Sequence, residues 1–406
     1  MTTADERRAT AGRWRDVARA TGLLSADGTV APTIFAEMSA LAGRTGAINL
    51  GQGFPDVDGP DYVKAAAKQA IDDGRNQYPP GDGIPELRRA VADHQRRHYG
   101  LDVDPETEVL VTTGATEALT ASILALAGPG DEVVTLEPFY DSHAAAVALA
   151  GATHVPVALT DDLRLDAAAL HAAVSERTRV IVVNSPHNPT GTVLTRDELG
   201  MVADVARRSD AIVVTDEVYE HLTFDGAVHV PIATLPGMGE RTLTISSSGK
   251  TFSLTGWKVG WVHGPAELVT AVRTVKQFLT YVSGAPFQPA IAQALADDET
   301  PRALAASLAA RRDLLCDGLT AAGFDVAVPQ GTYFVVADGA PLGFDDGHEL
   351  CRRLPELAGV VAVPVSAFCR QGSTAYGRLR SSVRFTFVKR EEVLRESAAR
   401  LARLRA

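Results

Sequence analysis

A regular alternation of short β-branched segments and alanine-rich amphipathic segments begins near residue 105 and strongly constrains the fold. The β-branched segments predict buried strands, at Val109–Thr113, Glu132–Leu136, Val155–Leu159, Val180–Asn184, Ala211–Asp216 and Leu243–Ser247. The segments between most of them predict helices, at Thr116–Ala127, Ser142–Ala150, Ala167–Ser175 and Arg196–Arg208. The alternation therefore predicts an α/β fold: a three-layer αβα domain with a mostly parallel sheet.

The pattern changes after residue 290, which predicts a second, smaller α+β domain. Its helices are longer and rich in Ala, Arg and Leu, at Pro301–Ala322 and Arg390–Arg405. The strands between them are predicted at Phe324–Val328, Tyr333–Ala337, Val360–Pro364 and Val383–Phe387, and a helix over Glu267–Tyr281 connects the two domains. We expect an N-terminal segment (1–49, with 1–28 partly mobile) packing with the small domain, a large domain (50–290) and a small domain (291–406).

Charge and composition exclude several classes of protein. The 39 Lys and Arg against 50 Asp and Glu give a net charge of −11, which argues against nucleic-acid or anionic-membrane partners. No run approaches the ~18 apolar residues of a membrane span, and the first twenty residues lack a signal or transit pattern. The three cysteines are too scattered for a disulfide framework or a thiolate metal site. We therefore expect a cytoplasmic, soluble protein without a metal.

Polar residues at the predicted strand ends are the candidates for chemistry, because ligands of open α/β sheets bind there. The turn at 114–116 opens a helix and offers an anion site. Asn188 lies in a loop stiffened by proline and glycine, and Asp216 ends a buried strand. Taken singly, each also fits an ordinary turn or cap.

Two basic positions complete this set. Lys250 lies close to Lys258 in a glycine-containing turn, an environment that favours a neutral, nucleophilic amine. Arg384 lies inside an apolar strand and needs a carboxylate acceptor; a surface lysine and a structural ion pair are the ordinary alternatives. The Gly249-Lys250-Thr251 triplet is not a nucleotide-binding phosphate loop, because that motif requires a glycine where Thr244 stands.

The order and spacing of six of these residues resemble those of fold type I pyridoxal-phosphate aminotransferases, from about Pro32 to the end of the chain. The six are Asn188, Asp216, Tyr219, Lys250, Lys258 and Arg384. Segments 49–56, 186–191 and 329–334 resemble the kynurenine, glutamine and methionine aminotransferase subgroup. Segments 285–289 and 341–346 resemble the actinobacterial N-succinyldiaminopimelate aminotransferases still more closely.

The resemblance implies a role for each residue around pyridoxal 5'-phosphate. Lys250 would bond covalently to the cofactor aldehyde, and Asp216 would pair with the ring nitrogen. Asn188 and Tyr219 would bind the phenolic oxygen of the cofactor, Tyr140 would stack on its ring, and its phosphate would be held by Ala115, Thr116, Ser247 and Lys258. Arg384 and the Gly53 backbone would bind the substrate carboxylate, and Phe35 would line the side-chain pocket. Tyr78 and Tyr281 would reach the neighbouring subunit's site. The last pair implies a homodimer.

The implied activity is ping-pong transfer of an amino group from an L-amino acid to a 2-oxo acid. Aromatic, sulfur and glutamine-type donors are expected first, with N-succinyl-LL-diaminopimelate as the alternative and cysteine-conjugate β-lyase activity as a further one. A decarboxylase is disfavoured because Arg384 would hold the carboxylate in the plane of the ring. A cofactor-binding regulator is disfavoured because the first ~30 residues are too short for a DNA-binding module.

Overall fold

The computed structural model describes residues 12–25 and 27–405. The strands are β1 (Ile48–Asn49), β2 (Val109–Thr112), β3 (Glu132–Glu137), β4 (Thr153–Ala158), β5 (Thr178–Asn184), β6 (Ile212–Asp216), β7 (Thr242–Ser247), β8 (Gly260–His263), β9 (Asp325–Ala327), β10 (Phe334–Asp338), β11 (Val360–Val361), β12 (Val363–Pro364) and β13 (Ser382–Thr386). Within the segment expected to be partly mobile (1–28), residues 1–11 and 26 lie outside the described residues.

The helices separate most of these strands. They are α1 (Trp14–Ala20), α2 (Ile34–Thr45), α3 (Asp61–Asp72), α4 (Pro85–Tyr99), α5 (Gly114–Leu126), α6 (Asp141–Ala150), α7 (Ala167–Ala173), α8 (Arg196–Ser209), α9 (Ser248–Thr251), α10 (Ala266–Lys276), α11 (Phe287–Ala294), α12 (Glu299–Ala322), α13 (Gly347–Ala358), α14 (Thr374–Arg378) and α15 (Glu391–Leu401). Among the described helices, none combines the length and apolar character that crossing a bilayer requires.

The large sheet has seven strands in the order β2-β8-β7-β6-β5-β3-β4. Strands β3 to β7 pair in parallel, which confirms the predicted mostly parallel sheet. Strand β8 was not predicted, and it runs antiparallel to both β2 and β7. It is only four residues long and begins at a glycine, so its sequence carries little strand signal. A Cβ at Gly260 would lie 2.6 Å from the carbonyl carbon of Gly114, so only glycine lets β8 approach the turn at 114–115 this closely.

Side chains along each strand point alternately to the two faces of the sheet and so build the two apolar layers of this domain. On β5, Ile181 and Val183 face one layer, packed against Leu199 and Val202 of α8. Val180 and its alternate neighbours face the other layer, packed against α5. A strand buried on both faces reads as a continuous apolar run, which is why these strands were recognisable in the sequence.

The smaller unit contains an antiparallel sheet in the order β12-β13-β10-β9. The predicted strand over 360–364 is in fact two strands: β11 pairs in parallel with β1, whereas β12 pairs with β13. Helix α2 packs on α13, so the N-terminal segment contacts the C-terminal part of the chain. The predicted helix over 267–281 ends at Lys276. The domain boundaries themselves stay a prediction.

Candidate active site

A cavity of about 310 Å³ lies at the carboxyl ends of the parallel strands. It is lined by twelve of the fourteen predicted site residues: Phe35, Gly53, Ala115, Thr116, Tyr140, Asn188, Asp216, Tyr219, Ser247, Lys250, Lys258 and Arg384. They come from both parts of the chain, so the pocket lies between the large sheet and the C-terminal unit. A cavity of this size suits a small ligand.

Tyr78 and Tyr281 do not line this cavity. Tyr78 is 81% exposed, and its ring centroid lies 5.5 Å from that of Tyr281, which is 42% exposed. Both were expected to act in a neighbouring subunit, and that expectation stays a prediction.

Asp216 and Asn188 are held together by a residue that the sequence analysis missed. Asn184 ends β5 and pairs in register with Asp216 at the end of β6. Its side-chain amide donates to the Asp216 carbonyl oxygen (2.8 Å), and its Oδ1 accepts from the backbone N–H of Asn188 (2.8 Å). Its position at the end of a predicted strand was the sequence feature that could have identified Asn184 as a site residue.

The Asp216 carboxylate is poorly solvated and lacks a strong partner among the residues that the structure describes. Its Oδ1 accepts a 3.3 Å hydrogen bond from the backbone N–H of Val218. Burial raises the pKa of Asp216 to about 6, although that hydrogen bond and the charge of Lys250 act in the opposite direction. A buried carboxylate in this state is suited to receive a cationic N–H from a ligand.

Lys250 lies on the short helix α9, which directly follows β7. Its Nζ donates to the hydroxyl oxygen of Tyr333 (2.6 Å), and that hydroxyl donates to the carbonyl oxygen of Gly53 (2.6 Å). The same amine lies 5.7 Å from the ring centroid of Tyr219. Tyr333 stands in one of the motifs that carried the family resemblance, but it was not predicted as a site residue.

An anion cradle forms where α5 begins. The backbone N–H groups of Ala115 and Thr116 lie in the first turn, where a helix leaves its N–H groups without internal partners. Lys258 lies next to these N–H groups: its Nζ is 3.0 Å from the position that a Cβ at Gly114 would occupy. Burial, and then the neighbouring Lys250, lower the pKa of Lys258. Ser247 lines the same cavity from the end of β7.

Arg384 is buried in β13 and is only partly satisfied. Its Nη1 donates to Asn188 Oδ1 (3.0 Å) and its Nη2 to the Gly51 carbonyl (2.9 Å). Its Nε is buried and has no hydrogen-bond partner among the described residues. Burial lowers the pKa of Arg384 to about 10. A buried guanidinium with donor capacity left is suited to bind a carboxylate.

Aromatic rings surround this guanidinium. Its central carbon lies 3.9 Å from the ring centroid of Phe334, 4.7 Å from that of Phe368 and 5.4 Å from that of Phe35. Phe334, Gln52 and Phe54 also line the cavity and were not predicted as site residues. All three stand in motifs that were used for the resemblance, so the signal was present.

Comparison with known proteins identifies relatives along nearly the whole chain. A family model for aminotransferase class I and II matches residues 45–401. A probable N-succinyldiaminopimelate aminotransferase of Mycobacterium tuberculosis is 56% identical over 380 residues, covering 92% of this chain and 96% of the relative. The solved structure of N-succinyldiaminopimelate aminotransferase from that organism matches with a TM-score of 0.91 and 53% identity, over 97% of this chain and 100% of the other.

Two further relatives have other names. Methionine aminotransferase of Escherichia coli is 39% identical over 374 residues, covering 92% of this chain and 96% of the relative. Kynurenine–oxoglutarate transaminase 3 of Mus musculus is 39% identical over 390 residues, covering 89% of this chain and 85% of the relative. The matches confirm the resemblance and the fold expected from the sequence. The chain belongs to the class I and II aminotransferases, and it is a pyridoxal-phosphate-dependent transaminase.

Proposed function

We propose that this aminotransferase prefers amino donors with an apolar, aromatic or glutamine-like side chain and passes the amino group to an acceptor such as 2-oxoglutarate or pyruvate. One observation carries the preference. Arg384 is the only guanidinium that lines the cavity among the described residues, and the wall around it includes Phe35, Phe54 and Phe334. A donor with a second carboxylate would find no second arginine fork among the described cavity residues, whereas an aromatic or thioether side chain would pack on the rings.

The residues of the cavity fit pyridoxal phosphate, the cofactor of this family. The N–H groups of the α5 turn and Lys258 match a phosphate dianion, and the underpartnered Asp216 matches a protonated ring nitrogen. Lys250 lies near enough to both groups that its charge affects the pKa of Asp216 and that of Lys258. When bound, the cofactor supplies an aldehyde that binds amines and a ring that accepts electron density from the substrate's Cα.

Each residue then has a proposed task in the reaction. Lys250 would hold the cofactor covalently in the resting enzyme, and its amine, once freed by the donor, would take up the proton released from the donor's Cα and return it during the transfer. Tyr333 orients this amine through the 2.6 Å hydrogen bond. Asp216 would hold the proton at the ring nitrogen, and Arg384 would bind and orient the donor carboxylate.

The remaining contacts are assigned to binding. Asn188 and Tyr219 would hold the phenolic oxygen, and Tyr140 would cover the ring. Ala115, Thr116, Ser247 and Lys258 would hold the phosphate, while the backbone of Gly53 would assist Arg384. These assignments follow the family resemblance, and the position of these residues around one cavity supports them.

We also propose a homodimer and a cytoplasmic location. The exposed rings of Tyr78 and Tyr281 lie 5.5 Å apart, and Phe278, three residues before Tyr281 in the chain, is 85% exposed. Burial of this group against a second copy would remove it from water and bring Tyr78 to the partner's phosphate site. Light scattering should give a dimer mass. Wild-type activity in a monomeric protein would contradict this proposal.

N-succinyl-LL-diaminopimelate is the second candidate donor, because the 56% identical relative carries that activity in its name. A panel of donors separates the two candidates: phenylalanine, methionine, glutamine, kynurenine, aspartate and the succinylated donor, each with 2-oxoglutarate and pyruvate. We expect kcat/KM to be highest for the aromatic, sulfur or glutamine-type donors. A clear preference for the succinylated donor would reverse the assignment. Pyruvate released from a cysteine conjugate would reveal β-lyase activity.

A further inference from the structure

A cluster of three histidines lies outside the active-site cavity. His94 and His98 are four residues apart on α4 and therefore share one face of that helix. His221 comes from the segment that follows β6. The three side chains each offer a ring nitrogen, and these nitrogens all lie within 4.8 Å of one another. We call this group the histidine cluster.

The geometry of the cluster is that of a nearly assembled ligand set. The Nε2 atoms of His94 and His221 face each other at 2.7 Å. The His98 ring centroid lies 4.5 Å from that of His94 and 4.9 Å from that of His221. Tetrahedral zinc has Zn–N distances of about 2.0–2.1 Å, which separates its nitrogen ligands by about 3.3 Å. No nitrogen–nitrogen separation would therefore have to change by more than about 1.5 Å to reach this spacing.

Carboxylates lie next to the cluster. Asp298 Oδ1 is 3.0 Å from His98 Nε2 and so fixes that ring; such carboxylate partners commonly orient metal-binding imidazoles. Glu220 is buried beside His221, where its negative charge would offset that of a cation. The His98 side chain is 23% exposed, which leaves a path from solvent.

We propose that His94, His98 and His221 bind a divalent transition-metal ion of the zinc class. Three imidazoles suit zinc, nickel and copper, whereas calcium and magnesium prefer oxygen ligands. A bound ion would link α4 to the segment after β6. That segment also carries Tyr219, two residues before His221, so the ion would stabilise one wall of the active site from outside the cavity.

Metal binding by the holoenzyme tests the proposal. The protein is treated with EDTA, freed of chelator and excess cofactor by gel filtration, and titrated with Zn²⁺ by calorimetry and with Co²⁺ by visible spectroscopy. Wild type should bind one ion per protomer, with the spectrum of tetrahedral Co²⁺. The variants H98Q and H221Q should each bind at least about tenfold more weakly. H171Q is the matched control, because His171 is an exposed helical histidine outside the cluster.

Thermal unfolding provides a second readout. Zn²⁺ should raise the Tm of wild type and H171Q, and not that of H98Q or H221Q, because a ligand that binds only the folded state stabilises it. If H221Q does not fold, H98Q is sufficient to test the proposal, because the wild-type His98 side chain is partly exposed and its replacement should be tolerated. Absence of stoichiometric binding by wild type would overturn the proposal, and so would binding by H98Q equal to that of wild type.

Discussion

The side chains of Arg384 and Asn188 are joined by a 3.0 Å hydrogen bond from Nη1 to Oδ1. Arg384 belongs to the antiparallel sheet of the C-terminal unit, and Asn188 to the loop that follows a parallel strand of the large sheet. The bond therefore connects the proposed carboxylate-binding residue to a proposed cofactor-binding residue. A change at either residue should disturb both binding tasks.

We expect R384K to lower kcat/KM for amino donors by about 10- to 150-fold, mainly through KM. Lysine offers one compact ammonium and cannot bind Asn188, Gly51 and a substrate carboxylate with a planar fork. The range corresponds to the 1.5–3 kcal/mol typical of a charge-assisted hydrogen bond. Steady-state kinetics check this against R395K, which alters an exposed pair with Glu391. Equal loss in both variants would contradict the assignment.

K250A should lose covalent cofactor attachment and at least about 10²–10⁴-fold in turnover, the range typical of a general acid–base group. Borohydride reduction and peptide mapping should label the peptide that contains residue 250 in wild type. The control is K68A, which changes an exposed helical lysine and should keep the label at 250. A labelled peptide elsewhere in wild type would refute the proposed attachment site.

Y333F removes the hydroxyl that accepts from Lys250 and donates to Gly53. Because hydrogen bonds to charged groups contribute about 1.5–3 kcal/mol, we expect kcat to fall at least about tenfold. The loss should appear in kcat more than in KM, since the amine loses the partner that positions it. Y376F, at a tyrosine outside the cavity, should behave as wild type. An unchanged kcat in Y333F would leave Tyr333 with a packing role only.

Asp216 should make the stability of the cofactor-free protein depend on pH. Burial raises its pKa from 3.8 to about 6, so the folded state binds this proton more tightly than the unfolded state does. The stability that Asp216 contributes is complete below about pH 3.8 and is lost as the pH rises through about 6. Relative to D216N, the free energy of unfolding of wild type should thus fall by about 2 kcal/mol between pH 4 and pH 7.

Urea unfolding of both cofactor-free proteins measures this difference. Parallel stability curves for wild type and D216N would contradict it. At pH 7, saturating pyridoxal phosphate should stabilise wild type more than D216N, because only the carboxylate can pair with a protonated ring nitrogen.

G53A should destabilise the protein and weaken donor binding. A Cβ at residue 53 would lie 2.5 Å from Cζ of Phe334, whose ring packs on Arg384. Displacement of that ring should cost about 1–3 kcal/mol, as overpacking of a core does. G43A is the matched control, because nothing lies within 4 Å of its Cβ on α2. It should gain about 0.5–1 kcal/mol in the free energy of unfolding; a loss equal to that of G53A would exclude a specific clash.

The local sequence pattern was sufficient to predict the parallel strands at the centre of the large sheet. Strands such as β5 and β6 are buried on both faces and are therefore continuous apolar runs, which stand out in any sequence. The same strands end at Asn184 and Asp216, so the edge that carries the chemistry was also visible. The spacing of Asn188, Asp216, Tyr219 and Lys250 then predicted one family and one cofactor.

Other features depend on contacts between distant segments, which local pattern does not encode. Strand β8 can form beside β2 because Gly260 allows a close approach to residues 114–115. Residues 360–364 form two strands rather than one, because β11 pairs with β1 whereas β12 pairs with β13. Tyr333 reaches Lys250 across 83 positions of sequence, and His221 reaches His94 across 127. The sequence by itself determined the layers and the chemical groups. Only the tertiary structure decided which groups touch, because such contacts form when remote segments pack together.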